Sequence, residues 1–366
     1  MSLQVLKDTT NQTLIRPLDY NIDATADYIV ERRSSTFYPS GSNVYNATSG
    51  TKLIKIVISG DNQYLDPSTL RVQYELVNKT TEEGYDKKLR TIGSPSSFFR
   101  RGRLLCGNIV ISDVDDYNRT DEMLRMFRPK HVRDNEDIEG FGRRADVFRY
   151  IGINDAGEVQ IAQEEQYQGI KPRESKTVMF KPIFGLLNTP NNNFIPLKYA
   201  PLILEFELVN DPKLPVIDAT GMTGGPFKES DCSTDWEIQN VQVKCDLLTL
   251  DSQMYDAFEK KIASGHKLKI PFSDYVSQTQ VIKGSNVTVN ISRAFSELRS
   301  VFASLDADHN SEALSLFIKP WNDFYHPMSK QMTFTPVGEL EWQLSIGSKI
   351  YPDMPVRSLS ESWYQL

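Results

Sequence analysis

The residues able to do chemistry are few, so their types and spacing are weighed first. Four histidines are present: His131, His266, His309 and His326. None stands in the H-x-x-x-H or H-E-x-x-H spacing that sets two imidazoles on one helix face around a metal. The three cysteines, Cys106, Cys232 and Cys245, fall at unrelated intervals. A zinc site from Cys232, Cys245 and one distant histidine is conceivable, but Cys245 reads instead as a strand residue facing a core. An odd number of cysteines gives no disulfide framework and points to synthesis in a reducing interior.

Other candidates fail on a missing partner. Asp306-Ala307-Asp308-His309-Asn310 opens like a calcium loop, but Ser311 replaces the turn glycine and Phe317 the closing carboxylate. The acidic loop Asp113, Asp115, Asp116 reads as solvated. Gly221-Met222-Thr223-Gly224-Gly225 lacks the Lys-Ser/Thr and the helix of a phosphate cradle. No G-x-S-x-G elbow occurs. Glu205 and Glu207 share one strand face, as paired glycosidase carboxylates can, but they alternate with core residues and read as the wet face of a sheet. The densest basic spots are Arg100-Arg101-x-Arg103 and Arg143-Arg144, with Phe98, Phe99 and Phe141 close by. Asp113, Glu136, Asp137 and Asp146 interrupt the continuous basic track that a nucleic-acid groove needs. Salt bridges between subunits are the expected use of these arginines. No catalytic, cofactor-binding or metal-ligating residue is assigned, no cofactor is expected, and neither is sequence-specific nucleic-acid binding.

Composition agrees. The 366 residues carry a net charge of −7, which argues against a broad nucleic-acid coating surface. Apolar residues at 39% suffice for a sizeable core, over one large domain or two. No stretch approaches the ~18 consecutive apolar residues of a membrane-spanning helix, and Met1 to Lys7 holds no signal-peptide core.

The elements that must position these residues are mostly strands. Residues 1–45 are polar and aperiodic, and read as an arm that orders on a neighbour. Strands are expected at Leu53 to Ile58, Leu70 to Leu76, Leu104 to Ile111, Thr177 to Phe180 and Leu202 to Leu208. Trp236 to Leu250 is another, and its apolar phase slips between Ile238 and Val241, which predicts a bulge. Further strands are expected at Lys269 to Phe272, Val287 to Ile291 and Leu340 to Ile346; 295–305 fits either helix or strand. One short helix is expected from Asp121 to Phe127 with Thr120 as N-cap. A second has Asp251 as cap, Met254, Phe258 and Ile262 on one face, and Gly265 at its end. The stretches 129–173 and 211–235 read as long excursions. Many short strands, few helices and long loops suit an all-β sandwich or jelly roll with Greek-key connections.

Several stretches resemble one family. Asn193-Phe194-Ile195-Pro196-Leu197-Lys198-Tyr199-Ala200-Pro201, running on to Val209, resembles a strand of the double jelly-roll major capsid proteins of Polinton-like viruses, adintoviruses and virophage-like elements. Val243 to Ser252, Ser292 to Phe302 and Ile346 to Ser358 resemble other segments of that family, so the likeness runs over roughly 50–366. It implies two eight-stranded barrels side by side: a first over 46–250, a connecting helix at 251–265 and a second over 266–366. It also implies a homotrimer forming a pseudo-hexameric capsomer of an icosahedral virion, with neighbouring capsomers, penton and minor capsid proteins as partners. The family has no catalytic residues to carry over. Two other roles share the architecture. One is a carbohydrate-binding or adhesive module, with Trp321, Phe324 and Tyr325 as platform; the other is a cupin-like enzyme, which the scattered histidines disfavour. About 100 residues are few for a second barrel. The capping-box pattern Ser358, Glu361 opens a helix near the end, so the natural chain is expected to be longer.

Overall fold

Alternating sequence becomes strand where one face can be buried. The computed structural model describes residues 29–48, 50, 52–81, 87–91, 93–129, 151–153, 159–161, 169–188, 193–218, 220, 229–281, 286–292, 295–303, 341–357, 361 and 364. In chain order the elements are β1 (Ile29–Phe37), β2 (Val44–Tyr45), β3 (Leu53–Ile58), β4 (Gln63–Asn78), β5 (Phe99–Cys106), β6 (Ile109–Val114) and α1 (Tyr117–Met126). Then come β7 (Ile151–Ile153), β8 (Val159–Ile161), β9 (Ser175–Phe180), β10 (Ile195–Pro196), β11 (Leu202–Leu208) and β12 (Trp236–Leu250). α2 (Ser252–Ala263), β13 (Trp342–Ile346) and β14 (Lys349–Val356) follow. The chain is all-β in class, and these strands all pair antiparallel among the described residues, with one isolated parallel bridge between Lys88 and Cys232.

Two sheets make the main body. The first runs β1-β12-β4-β10, with β2 also on β12 and β9 on β4; the second runs β3-β11-β5-β6. The chain switches sheet between β3 and β4, between β4 and β5, and again between β11 and β12, the habit of Greek-key sandwiches. Ile54, Ile56 and Ile58 of β3 and Leu202, Leu204 and Phe206 of β11 bury their side chains, as do Val72 and Tyr74 of β4. At the centre Phe206 meets Phe99 at 5.1 Å and Tyr117 at 5.6 Å between ring centroids, while Tyr74 meets Phe99 edge-on at 5.8 Å.

The bulge expected in β12 is present. Its pairing with β4 shifts register between Gln239 and Gln242, and Asn240 takes a left-handed φ of 50°. The extra residue lets Ile238 and Val241, Val243, Cys245 and Leu247 all face the core despite the slip in period. Asn240 is held there by its Nδ2 donating to Glu75 Oε2 at 2.8 Å.

Four expectations need correction. The arm is not unpaired throughout: Ile29–Phe37 runs along β12, and Arg32 of that strand bridges Asp66 and Asp246 at 2.8 Å each. The β1 side chains are mostly exposed, so no buried face marked the strand in sequence. Leu104 to Ile111 is two strands, broken at Gly107 with φ of +58°, rather than one. α1 begins before Asp121: Asp116 is its N-cap residue, and Thr120 lies inside, its Oγ1 donating to the Asp116 carbonyl at 3.1 Å. The excursion 129–173 contains the small hairpin β7–β8.

Candidate assembly surface

The arginines of β5 show what the sheet does with charge. β5 lies between β11 and β6, and the residues opposite its outward-facing arginines Arg101 and Arg103 are acids. Arg103 pairs in register with Glu205 on one side and Asp113 on the other. Arg103 Nη2 reaches Glu205 Oε2 at 2.8 Å, and Lys55 Nζ reaches Glu205 Oε1 at 3.3 Å. Arg101 binds Asp113 through two nitrogens at 2.8 and 2.6 Å, and Arg100 binds Glu207 at 3.1 Å. The Asp113 hydrogen bonds raise the Arg101 guanidinium above its usual range. These arginines serve ion pairs within the chain, because cross-strand register already places carboxylates beside them. Glu205 corrects the wet-face reading. It is 7% exposed, and the Lys55 and Arg103 head groups take one carboxylate oxygen each.

A buried polar group escaped the sequence. Asp121 and Arg125 of α1 are each 2% exposed at the side chain and pair at 2.7 Å. Asp121 Oδ2 also accepts from Ser94 Oγ at 3.1 Å and, closely, from Ser96 Oγ. Glu122 Oε1 takes the Ser94 N–H at 2.8 Å. Burial alone would raise the Asp121 carboxyl, but the Arg125 charge and the two hydroxyls outweigh it and hold the carboxyl below its usual range. The cluster fastens α1 to the 3-10 turn Pro95–Phe98, and so to the start of β5. The i, i+4 spacing of Asp121 and Arg125 was the one available signal; nothing local marks Ser94 or Ser96.

α2 is fastened at the opposite side by exposed groups. Asp251 accepts the Gln253 N–H at 3.1 Å, and Gly265 ends the helix with φ of +86°, as the sequence predicts. Lys198 donates to Glu259 and, at 2.8 Å, to Tyr255 Oη. Tyr199 Oη donates to Glu259 at 3.1 Å, and Tyr255 Oη also lies 2.8 Å from Asn62 Oδ1. The Lys198 hydrogen bond, then those from Tyr255 and Tyr199, lower the Glu259 carboxyl to about 2. Phe258 meets Tyr64 at 6.4 Å, so the apolar stripe of α2 faces the sandwich.

Beyond α2 the character changes. Residues 266–281, 286–292 and 295–303 form neither helix nor strand, so the strands expected at Lys269 to Phe272 and Val287 to Ile291 are not made. Their apolar side chains have no sheet to face among the described residues: Leu268, Phe272, Val276, Val287, Val289 and Ile291 are all exposed. The run is tied down at a few points. Asp274 Oδ1 accepts the Gly185 N–H at 3.1 Å, Thr279 Oγ1 donates to Asp116 Oδ2, and Phe302 meets Phe127 at 4.9 Å. A Cβ on Gly185 would lie 1.8 Å from Ser273 O. Gly185→Ala should accordingly lift this run, speeding proteolytic cleavage within 266–303 by about tenfold. Unchanged cleavage kinetics would count against the docking. The hairpin β13–β14 likewise exposes Trp342, Ile346, Ile350 and Tyr351.

The remaining candidates are placed as follows. Cys245 faces the core, and burial, then the Asp246 charge, pushes its thiol up to about 12. Cys232 is buried, with Arg90 Nη1 at 3.7 Å from its sulfur. His266 pairs with Ser264 Oγ at 2.9 Å. Among the described residues no group of three or more His, Cys, Asp or Glu could hold a metal. No helix among them is long and apolar enough to cross a membrane. His131, His309, His326, Arg143 and Arg144, the Asp306 loop, Gly221 to Gly225, the Trp321 platform and Ser358 lie outside the described residues.

No family model matches the chain, and no curated protein does. Solved structures do. The chain is similar to the Sputnik virophage structure, with a TM-score of 0.40 and 10% identity over 65% of this chain and 52% of that one. The Faustovirus major capsid protein gives a TM-score of 0.40 and 10% identity over 72% and 60%. The mavirus major capsid protein gives 0.33 and 12% over 66% and 53%. The chain thus spans about half the length of the structures it matches.

Proposed function

We infer that this chain is a shell subunit, a double jelly-roll major capsid protein whose three copies make a pseudo-hexameric capsomer of an icosahedral virion. The observation that carries the reading is the contrast between its two halves. The sandwich over 29–250 closes its own core, whereas the described residues from Leu268 to Phe302 hold strand-patterned apolar side chains without a sheet. Strand-patterned sequence with exposed apolar faces belongs in a second barrel, and in contacts with neighbouring copies. The resemblance over 193–209, 243–252, 292–302 and 346–358 supports the same assignment for both barrels. A structural role needs no catalytic constellation, and the ion pairs described for β5 and α1 hold strand to strand and helix to sheet. Neighbouring capsomers, penton and minor capsid proteins are the partners this role requires, and the virion is its place.

Light scattering with negative-stain microscopy tests the reading. The purified chain at neutral pH should have the mass of three copies and show particles of pseudo-hexagonal outline. A monomer that persists across micromolar concentrations overturns it, as does a monomer that binds one class of glycan.

A further inference from the structure

The outer face of the sheet β3-β11-β5-β6 carries an ordered pattern that the shell reading does not use. Across the four strands, register sets Val57, Ile203, Leu105 and Val110 in one row. Val57 is 40% and Val110 48% exposed, at the two ends of that row. The next row along the strands is Lys55, Glu205, Arg103 and Asp113. Its charges run plus, minus, plus, minus. In the third row Glu207 lies opposite Arg101. At ~4.8 Å between strands, each four-strand row is ~15 Å long.

The geometry points to a second copy of this chain as the occupant of this face, stacked sheet on sheet about a two-fold axis. Place the axis in the contact plane, parallel to the strands and midway between β11 and β5. It reverses the order of the strands and leaves position along them unchanged. Lys55 then lies over Asp113 of the second copy, and Arg103 over the position of Glu205, whose carboxylate is buried between Lys55 and Arg103 of its own copy. The apolar row lies on the apolar row, Val57 over Val110 and Ile203 over Leu105, and Glu207 falls over Arg101. A row of alternating charges on an even number of strands is its own complement when reversed, and a row of one sign would repel itself. An isologous contact requires this self-complementarity, and face-to-face stacking is an ordinary way to cover a sheet.

The face is small, so a single contact is weak, and many repeated contacts give it effect. A two-fold isologous contact cannot be the contact that closes a three-fold ring, so it would join copies belonging to different trimers. The proposal does not depend on the shell reading, because the pattern stands on the sandwich alone.

A charge-swap experiment on the full chain tests it. Lys55→Glu sets two acids against each other across the axis, and Asp113→Lys sets two cations. Each variant alone should self-associate at least about tenfold more weakly than wild type in sedimentation velocity. Mixed one to one, they set the introduced glutamate over the introduced lysine at one end of the row. At the other end the native Lys55 lies over the native Asp113, and the association should return. Val57→Asp, at an exposed position, should weaken it as well, and decides the matter if Asp113→Lys does not fold. The proposal is overturned if wild type shows no concentration-dependent pairing beyond its basic unit. It is equally overturned if folded variants associate as wild type does, or if the mixture is no stronger than either variant alone. Trimer mass retained in these variants would separate a failure of this contact from a failure of the capsomer.

Discussion

Asp121→Ala should cost the sandwich roughly 3–5 kcal/mol, the range for removing one partner of a buried ion pair. The loss is large because of what remains. Arg125 is 2% exposed, so its guanidinium would stay out of water without its carboxylate. Ser94 and Ser96 would lose their carboxylate acceptor, and the turn that starts β5 would keep only its weaker ties to α1, such as the Ser94 N–H on Glu122. Urea denaturation of both proteins measures the difference. Replacing the pair together, Asp121→Leu with Arg125→Met, should recover a substantial part, because the cost lies in the uncompensated charge. The effect has a defined pH dependence. The folded carboxyl titrates below its usual range, so its contribution is present above the unfolded carboxylate pKa and is lost as pH falls through the folded value. The gap between wild type and Asp121→Ala should therefore narrow in acid. A gap that widens as pH falls, or a single-variant cost below ~1 kcal/mol, would show that the cluster is not the fastening described.

How much of this was legible depends on what each residue's surroundings had to supply. β11 and the second half of β4 announce themselves, because an apolar-polar alternation is itself the record of one buried face. The bulge in β12 could be read for the same reason: Ile238 and Val241 are out of phase, and only an extra residue returns both to the core. β1 could not be read. Its side chains are mostly exposed, and it is a strand because β12 offers hydrogen bonds, a fact recorded elsewhere in the chain. Residues 269–272 and 287–291 fail in the opposite sense. Their alternation is clear, yet among the described residues no strand pairs with them. A strand pattern states which face wants burial and says nothing of what will cover it.

The surface shows the same division. Sequence proximity drew Arg100, Arg101 and Arg103 together as a basic spot. The register then neutralised them with Glu205, Glu207 and Asp113, the first two from a strand far along the chain. Charge density along a chain is a poor guide to surface potential in a sheet, because neighbours in space come from other strands. Cys245 and the Asp251 to Gly265 helix were read correctly, since core-facing position and capping chemistry are both local. The Ser94, Ser96, Asp121 and Arg125 cluster was missed, since two of its four members reach it only through tertiary packing.

Phe206→Ala should be comparably severe, at roughly 3–5 kcal/mol, as expected for deleting a buried phenyl ring. Phe206 is 1% exposed and stands where the two sheets and α1 converge. Its ring contacts Phe99 of β5, Phe180 of β9 and Tyr117 of α1, with centroids 5.1, 5.9 and 5.6 Å away, and Phe184 at 5.8 Å. These neighbours come from elements that cannot collapse together, since β5 and β9 belong to different sheets, each held by its own ladder. The cavity would stay open, and the cost should sit toward the upper end of that range. Phe206→Leu keeps most of the volume and should cost clearly less. The two variants also separate packing from ring geometry, because leucine restores the filled space without the edge-to-face contacts with Tyr117 and Phe180. Chemical denaturation of the three proteins gives the answer. Equal stabilities for wild type and the alanine variant would mean that Phe206 is not at the centre of the core that joins the two sheets.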